Sequence, residues 1–151
     1  MSVSPRTGQK LFALRLNSPF RYALYTALAV LFATGTAWLV ADQLKDAPDS
    51  ETWQSIGATL LMLHGGAAMV TLMLFGALFP LHIHRSWRGQ TNQIMGVLML
   101  AVSAVLIATA FGLYYLGSDT ARPWLSSIHT DVGLALPALL LVHIVVGRWG
   151  R

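Results

Sequence analysis

The chain carries five histidines, and four of them lie in two apolar stretches at spacings that permit shared metal chemistry. His64 and His82 are 18 residues apart, five turns of an α-helix, and so project from one side of it. His129 and His143 are 14 residues apart, about 40° short of four full turns, again one side. A polar side chain in hydrocarbon is costly and usually has a partner and a purpose. Two such helices face to face would bring imidazoles together in pairs at two levels, roughly 20–27 Å apart. One zinc or copper ion cannot gather ligands so far apart along a helix, because its bonds to nitrogen are about 2 Å. The pattern implies two stacked bis-histidine sites, a geometry suited to two b-type haems.

The elements that must position these side chains follow from composition. Of 151 residues, 55% are hydrophobic and 11% charged, which implies one domain set in a membrane. Residues 22–41, 52–84 and 89–118 contain no Asp, Glu, Lys or Arg, and residues 123–147 contain only Asp131. Each stretch is long enough to cross a bilayer as a closed helix. The expected fold class is all-α: an integral membrane four-helix bundle, up-down-up-down, with helices at about 20–41, 53–84, 91–117 and 122–148. Residues 1–19 form a basic cytoplasmic arm, and residues 20–149 the haem-binding domain. The first apolar run is too long for a signal-peptide core and no A-x-A site follows it, so it reads as a retained anchor. No internal repeat and no low-complexity tract is evident.

Charge sets the expected orientation. Arg6, Lys10, Arg15, Arg21, Arg85, Arg88, Arg148 and Arg151 fall on one side of the four spans. Lys45 and Arg122 fall on the other, with Asp42, Asp46, Asp49, Glu51 and Asp119. The positive-inside rule places both termini in the cytoplasm of a bacterial inner membrane. The net charge of +4 is therefore a topology signal, not a nucleic-acid footprint. With no cysteine, disulfides, iron–sulfur clusters and thiolate-ligated or cysteine-attached haem are excluded.

Depth pairs the histidines. His82 precedes Arg85 by three residues and His143 precedes Arg148 by five, while His64 and His129 precede the same arginines by 21 and 19. His64 with His129 then defines an outer haem, and His82 with His143 an inner one. His84 is the alternative inner ligand, although it lies about 200° around the helix from His64. Pro80 and Pro137 could alter the helical phase near these positions. Arg122 at the outer level and Arg85, Arg88 and Arg148 at the inner level could pair with haem propionates. Topology signalling accounts for any one of them equally well. Small residues beside the ligands, Gly65, Gly66, Ala67, Ala68, Gly133 and Gly147, suit a flat macrocycle and equally suit helix packing. Thr71, Phe75, Leu136 and Leu140 would form a dry layer between the levels. Asp131 faces away from His129.

The segments Leu63-His-Gly-Gly-Ala-Ala, Phe79-Pro-Leu-His-Ile-His-Arg-Ser-Trp-Arg, Ser127-Ile-His-Thr-Asp-Val-Gly and His143-Ile-Val-Val-Gly-Arg carry a resemblance. Over roughly residues 20–149 the chain resembles the di-haem four-helix membrane cytochromes b, the type found as subunits of hydrogenases and formate dehydrogenases. The resemblance implies haem b, electron transfer and work beside other redox subunits. Better-known members place ligands on the first or third helix, where this chain has no histidine.

The expectation is a di-haem cytochrome carrying electrons across the membrane as the anchor subunit of a larger respiratory complex. Its partners would be lipid and periplasmic or membrane-bound redox subunits, with a quinone as a further candidate cofactor. Two other classes stand beside it: a haem-free structural or small transport subunit, and a stand-alone quinol oxidoreductase.

Overall fold

A computed structural model describes residues 18–78 and 93–149, with side chains through Gly147. These residues form four α-helices: α1 (Ser18–Gln43), α2 (Ser50–Leu78), α3 (Gln93–Tyr115) and α4 (Ala121–Trp149). All four are long and apolar enough to cross a membrane. The shortest, α3, has 23 residues and so runs about 35 Å, against a hydrocarbon core of about 30 Å.

Local chemistry explains the helix ends. Pro19, with its fixed φ, sits in the first turn of α1. α1 closes with the Leu44 amide donating to the Val40 and Ala41 carbonyls, both at 3.2 Å. The Asp49 carbonyl accepts the first bond of α2 from the Trp53 amide, and Glu51 in the first turn complements the helix dipole. At α4 the Ser118 carbonyl accepts from the Arg122 amide at 3.0 Å, and its hydroxyl accepts from the Ala121 amide at 3.2 Å. Ser118 is therefore the N-cap, which satisfies two orphan donors at once. These caps start α2 and α4 slightly before the uncharged stretches suggest.

α1 packs along α2 and α3 along α4, whereas the two pairs touch only lightly, mostly through α1 and α4. The contacts use small residues: Ala27, Ala41, Gly57 and Gly112 are buried. Without water to drive apolar groups together, close approach of backbones is the main source of attraction between membrane helices. Buried Thr71, Ser103 and Thr109 satisfy their hydroxyls on their own helices, donating to the Ala67, Met99 and Val105 carbonyls at 2.7–2.8 Å. Large apolar side chains point outward instead, Met73 at 72% and Leu141 at 64% exposure, as a lipid-facing surface requires.

Pro137 lies inside α4, yet the helix continues through it to Trp149. His129, Leu136, Leu140 and His143 are all half-buried along one stripe, while Leu134, Leu141 and Val142 are exposed. The proline does not rotate His143 off the face of His129.

A Cβ added at Gly57 would meet the Ala41 Cβ at 3.8 Å, ordinary van der Waals contact. Gly57→Ala should therefore leave thermal stability in detergent nearly unchanged. Gly57→Leu should wedge α1 from α2 and destabilise by about 1–3 kcal/mol.

Candidate functional site

The structure brings two of the four histidines together. The rings of His64 on α2 and His129 on α4 have centroids 6.3 Å apart and planes inclined at 79°. Both residues are half-buried. Each is held by the other helix of its own pair: His64 by α1, His129 by α3.

The hydrogen bonds fix the tautomers. His64 Nδ1 lies 3.0 Å from the Leu31 carbonyl oxygen, which can only accept, so Nδ1 carries the proton. The same nitrogen lies 3.1 Å from Thr34 Oγ1. Thr34 sends its own proton to the Val30 carbonyl at 2.7 Å, leaving its oxygen as an acceptor. On the other side, His129 Nδ1 lies 2.9 Å from Thr109 Oγ1, whose proton goes to the Val105 carbonyl at 2.7 Å. The Leu31 carbonyl makes His64 the Nδ1–H tautomer, and with the Thr109 proton on the Val105 carbonyl His129 takes the same one; in a neutral ring the lone pair then belongs to Nε2. This is the arrangement a metal-ligating histidine adopts, one nitrogen oriented by an oxygen acceptor and the other a donor to the ion.

The ring separation suits an ion between them. Two imidazoles bonded through nitrogen to one metal at about 2 Å on opposite sides have centroids about 6 Å apart. Among the described residues no group of three or more His, Cys, Asp or Glu side chains could hold a metal ion. A bare ion would therefore lack ligands here, whereas a tetrapyrrole brings four nitrogens and asks the protein for two axial donors. Room beside the rings depends on glycine. A Cβ at Gly35 would sit 3.1 Å from His64 Cε1, and one at Gly65 would sit 3.0 Å from the Tyr114 hydroxyl. Gly66 and Gly147 meet nothing within 4 Å and Gly133 only Leu106 at 3.9 Å, so Gly35 is the position at which a Cβ would press on a histidine ring.

The remaining sequence candidates fall as follows. His143 is half-buried on the face of His129, 14 residues farther along α4, about 21 Å. His82, His84, Arg85 and Arg88 lie outside the described residues, as does the arm before Ser18, and the Arg148 side chain is not described. Arg122 is exposed and donates from Nη1 to the Leu113 carbonyl at 3.1 Å, capping the end of α3. Asp131 is exposed and accepts from the Ser127 hydroxyl at 3.5 Å.

Sequence reasoning missed Leu31, Thr34 and Thr109, which hydrogen-bond the histidines, and Gly35, which makes room beside His64. A signal was present. Ala29-Val-Leu-Phe-Ala-Thr34 on α1 and Ala104-Val-Leu-Ile-Ala-Thr109 on α3 match at five of six positions. The likeness spans six residues and is not a repeated structural unit, and its apolar composition hides it among packing residues.

The tautomers are directly measurable. Histidine ¹⁵N spectra of the metal-free chain in detergent should show protonated Nδ1 and unprotonated Nε2 for His64 and His129, assigned by His64→Gln and His129→Gln. An Nε2–H tautomer at either residue would contradict the bonding described.

Comparison of the chain with protein-family models, with curated proteins and with solved structures gives no match, so the functional reading rests on the residues and their geometry.

Proposed function

We propose that the chain is a di-haem b-type cytochrome of the bacterial inner membrane, the anchor and electron-conduit subunit of a larger respiratory redox complex. The observation that carries the reading is the His64–His129 pair: two neutral imidazoles from separate helix pairs, 6.3 Å between centroids, both with Nδ1 engaged. Bound between them, haem b supplies a one-electron ferric/ferrous couple. His64 and His129 hold the outer iron, oriented by Leu31, Thr34 and Thr109. His143 with His82 holds the inner one. The inward stripe of α2 runs through Gly57, Leu60, His64, Ala68, Thr71, Phe75 and Leu78; His82 is preferred to His84 on its 18-residue spacing from His64 in the sequence. Between the levels, buried Thr71 and half-buried Phe75, Leu136 and Leu140 exclude water.

The bundle runs up-down-up-down with both termini cytoplasmic. The loops at 44–49 and 116–120 are too short to reach across a membrane, and the basic residues favour that side. The outer loops are small and acidic, so substrate chemistry belongs to a partner redox subunit or to a quinone. The edge-to-face ring geometry is also one that two aromatic rings adopt in direct contact, and this favours the second reading, a haem-free structural subunit.

Haem content separates the two. Pyridine haemochrome assay with protein quantitation should give two b haems per chain. His64→Ala and His129→Ala should each lower the ratio to about one, and the double variant should lose no more than either alone, because both ligate one iron. A chain without haem ends the cytochrome reading and leaves the histidine pair as a structural contact. For orientation, a reporter active only in the periplasm and fused after Arg151 should be silent, and a bright one would exchange the outer and inner levels.

A further inference from the structure

The two segments that resemble one another in sequence also do the same thing in space. In Ala29–Thr34 the threonine hydroxyl donates back to Val30 (2.7 Å) and Leu31 (3.2 Å), four and three residues earlier. In Ala104–Thr109 it donates back to Val105 (2.7 Å) and Leu106 (3.1 Å), again four and three earlier. In both, the threonine oxygen faces the Nδ1 of a histidine on the paired helix, at 3.1 Å for Thr34 and 2.9 Å for Thr109, and at His64 the Leu31 carbonyl joins it at 3.0 Å. The back-bond alone is general for a helical threonine, Thr36 making the same pair to Phe32 and Ala33; what sets Thr34 and Thr109 apart is the shared target, a histidine Nδ1 on the paired helix. The roles match although the histidines lie 30 residues after one threonine and 20 after the other.

We propose that Thr34 and Thr109 are paired positioning residues that set the reduction potential of the outer haem, an inference that rests on the cytochrome reading. The β-branch and the back-bond hold each hydroxyl in one rotamer, with its lone pairs turned to the neighbouring helix. With its proton on the back-bonded carbonyl, each hydroxyl accepts from Nδ1–H. Accepting that proton raises the electron density that Nε2 offers to a metal, which favours the ferric state. Isosteric valine keeps the volume and removes the acceptor.

The two threonines are not equivalent. Thr109 is 6% exposed, and its oxygen is the nearest acceptor to His129 at 2.9 Å. Thr34 is half-buried and shares the His64 proton with the Leu31 carbonyl at 3.0 Å, an acceptor that no side-chain substitution removes. The hydrogen bond in the drier setting is the stronger. Thr109→Val should therefore move the potential more than Thr34→Val.

The test is a redox titration of the full-length holoprotein in detergent, beside Thr109→Val, Thr109→Ser, Thr34→Val and the double valine variant. The expected result is that one haem shifts to higher potential in Thr109→Val, by about tenfold in its reduction equilibrium, or 59 mV for one electron. The other haem should not move, Thr109→Ser should restore the wild-type value, and Thr34→Val should shift the same haem less. The ferric low-spin electron paramagnetic resonance signal of the shifted haem should change with it. If Thr109→Val expels the haem while Thr109→Ser retains it at wild-type potential, the hydroxyl is again shown to be the positioning group. Two haems with unshifted potentials in the double valine variant would overturn the inference and leave the cytochrome reading intact. Equal haem loss in the valine and serine variants would overturn it too, since packing alone would then be at work. A wild-type chain without haem would overturn the cytochrome reading itself.

Discussion

An imidazole N–H placed among hydrocarbon chains has no water to satisfy it. Left unpaired, such a group costs several kcal/mol, which is comparable with the stability of a small domain. The chain meets this constraint with oxygen from a neighbouring helix: Leu31 and Thr34 for His64, Thr109 for His129. Each bond crosses the interface of one helix pair, so the chemistry of the ligand and the packing of the pair are a single requirement. α1 must lie close to α2 where Leu31 meets His64, and Gly35 permits the approach because any Cβ there would press on the ring at 3.1 Å. α3 must do the same for α4, with Gly112 and Thr109 buried at the contact.

The same constraint bears on how the two helix pairs meet. Each pair satisfies the Nδ1 of one ring internally. When the two pairs meet, the rings stand face to edge across the boundary, 6.3 Å apart. Direct contact between the pairs is light elsewhere, and among the described residues no large side chain is fully buried. A core without large interlocking side chains specifies its geometry weakly. The histidine level is then the best-defined point of the boundary, because hydrogen bonds fix it from both sides.

Much of this was legible in the sequence, at different depths. Uncharged runs disclosed four helices, since lipid tolerates little else. Helix ends were less legible because they depend on caps: Asp49 and Ser118 act through a backbone carbonyl and a hydroxyl, which composition does not weigh. The pairing of His64 with His129 followed from counting residues to the nearest basic boundary. Pro137 raised a doubt that counting could not resolve, and the structure resolves it by keeping His143 on the face of His129. His82 and His84 differ by only two residues, and they lie outside the described part of the chain.

The orienting residues were illegible for a physical reason. A threonine in an apolar helix can satisfy itself on its own backbone, so nothing in its type demands a partner elsewhere. Thr71 and Thr109 look alike in sequence and in burial, and both back-bond at 2.7–2.8 Å. Only Thr109 stands beside a histidine. What distinguishes it is the hexapeptide around it, because the same six-residue frame sets a hydroxyl and a carbonyl at one level on the helix. One such frame is unremarkable in a hydrophobic segment. Two of them, each opposite an imidazole on the adjoining helix, make the helices without histidine as much a part of the histidine site as the helices that carry it.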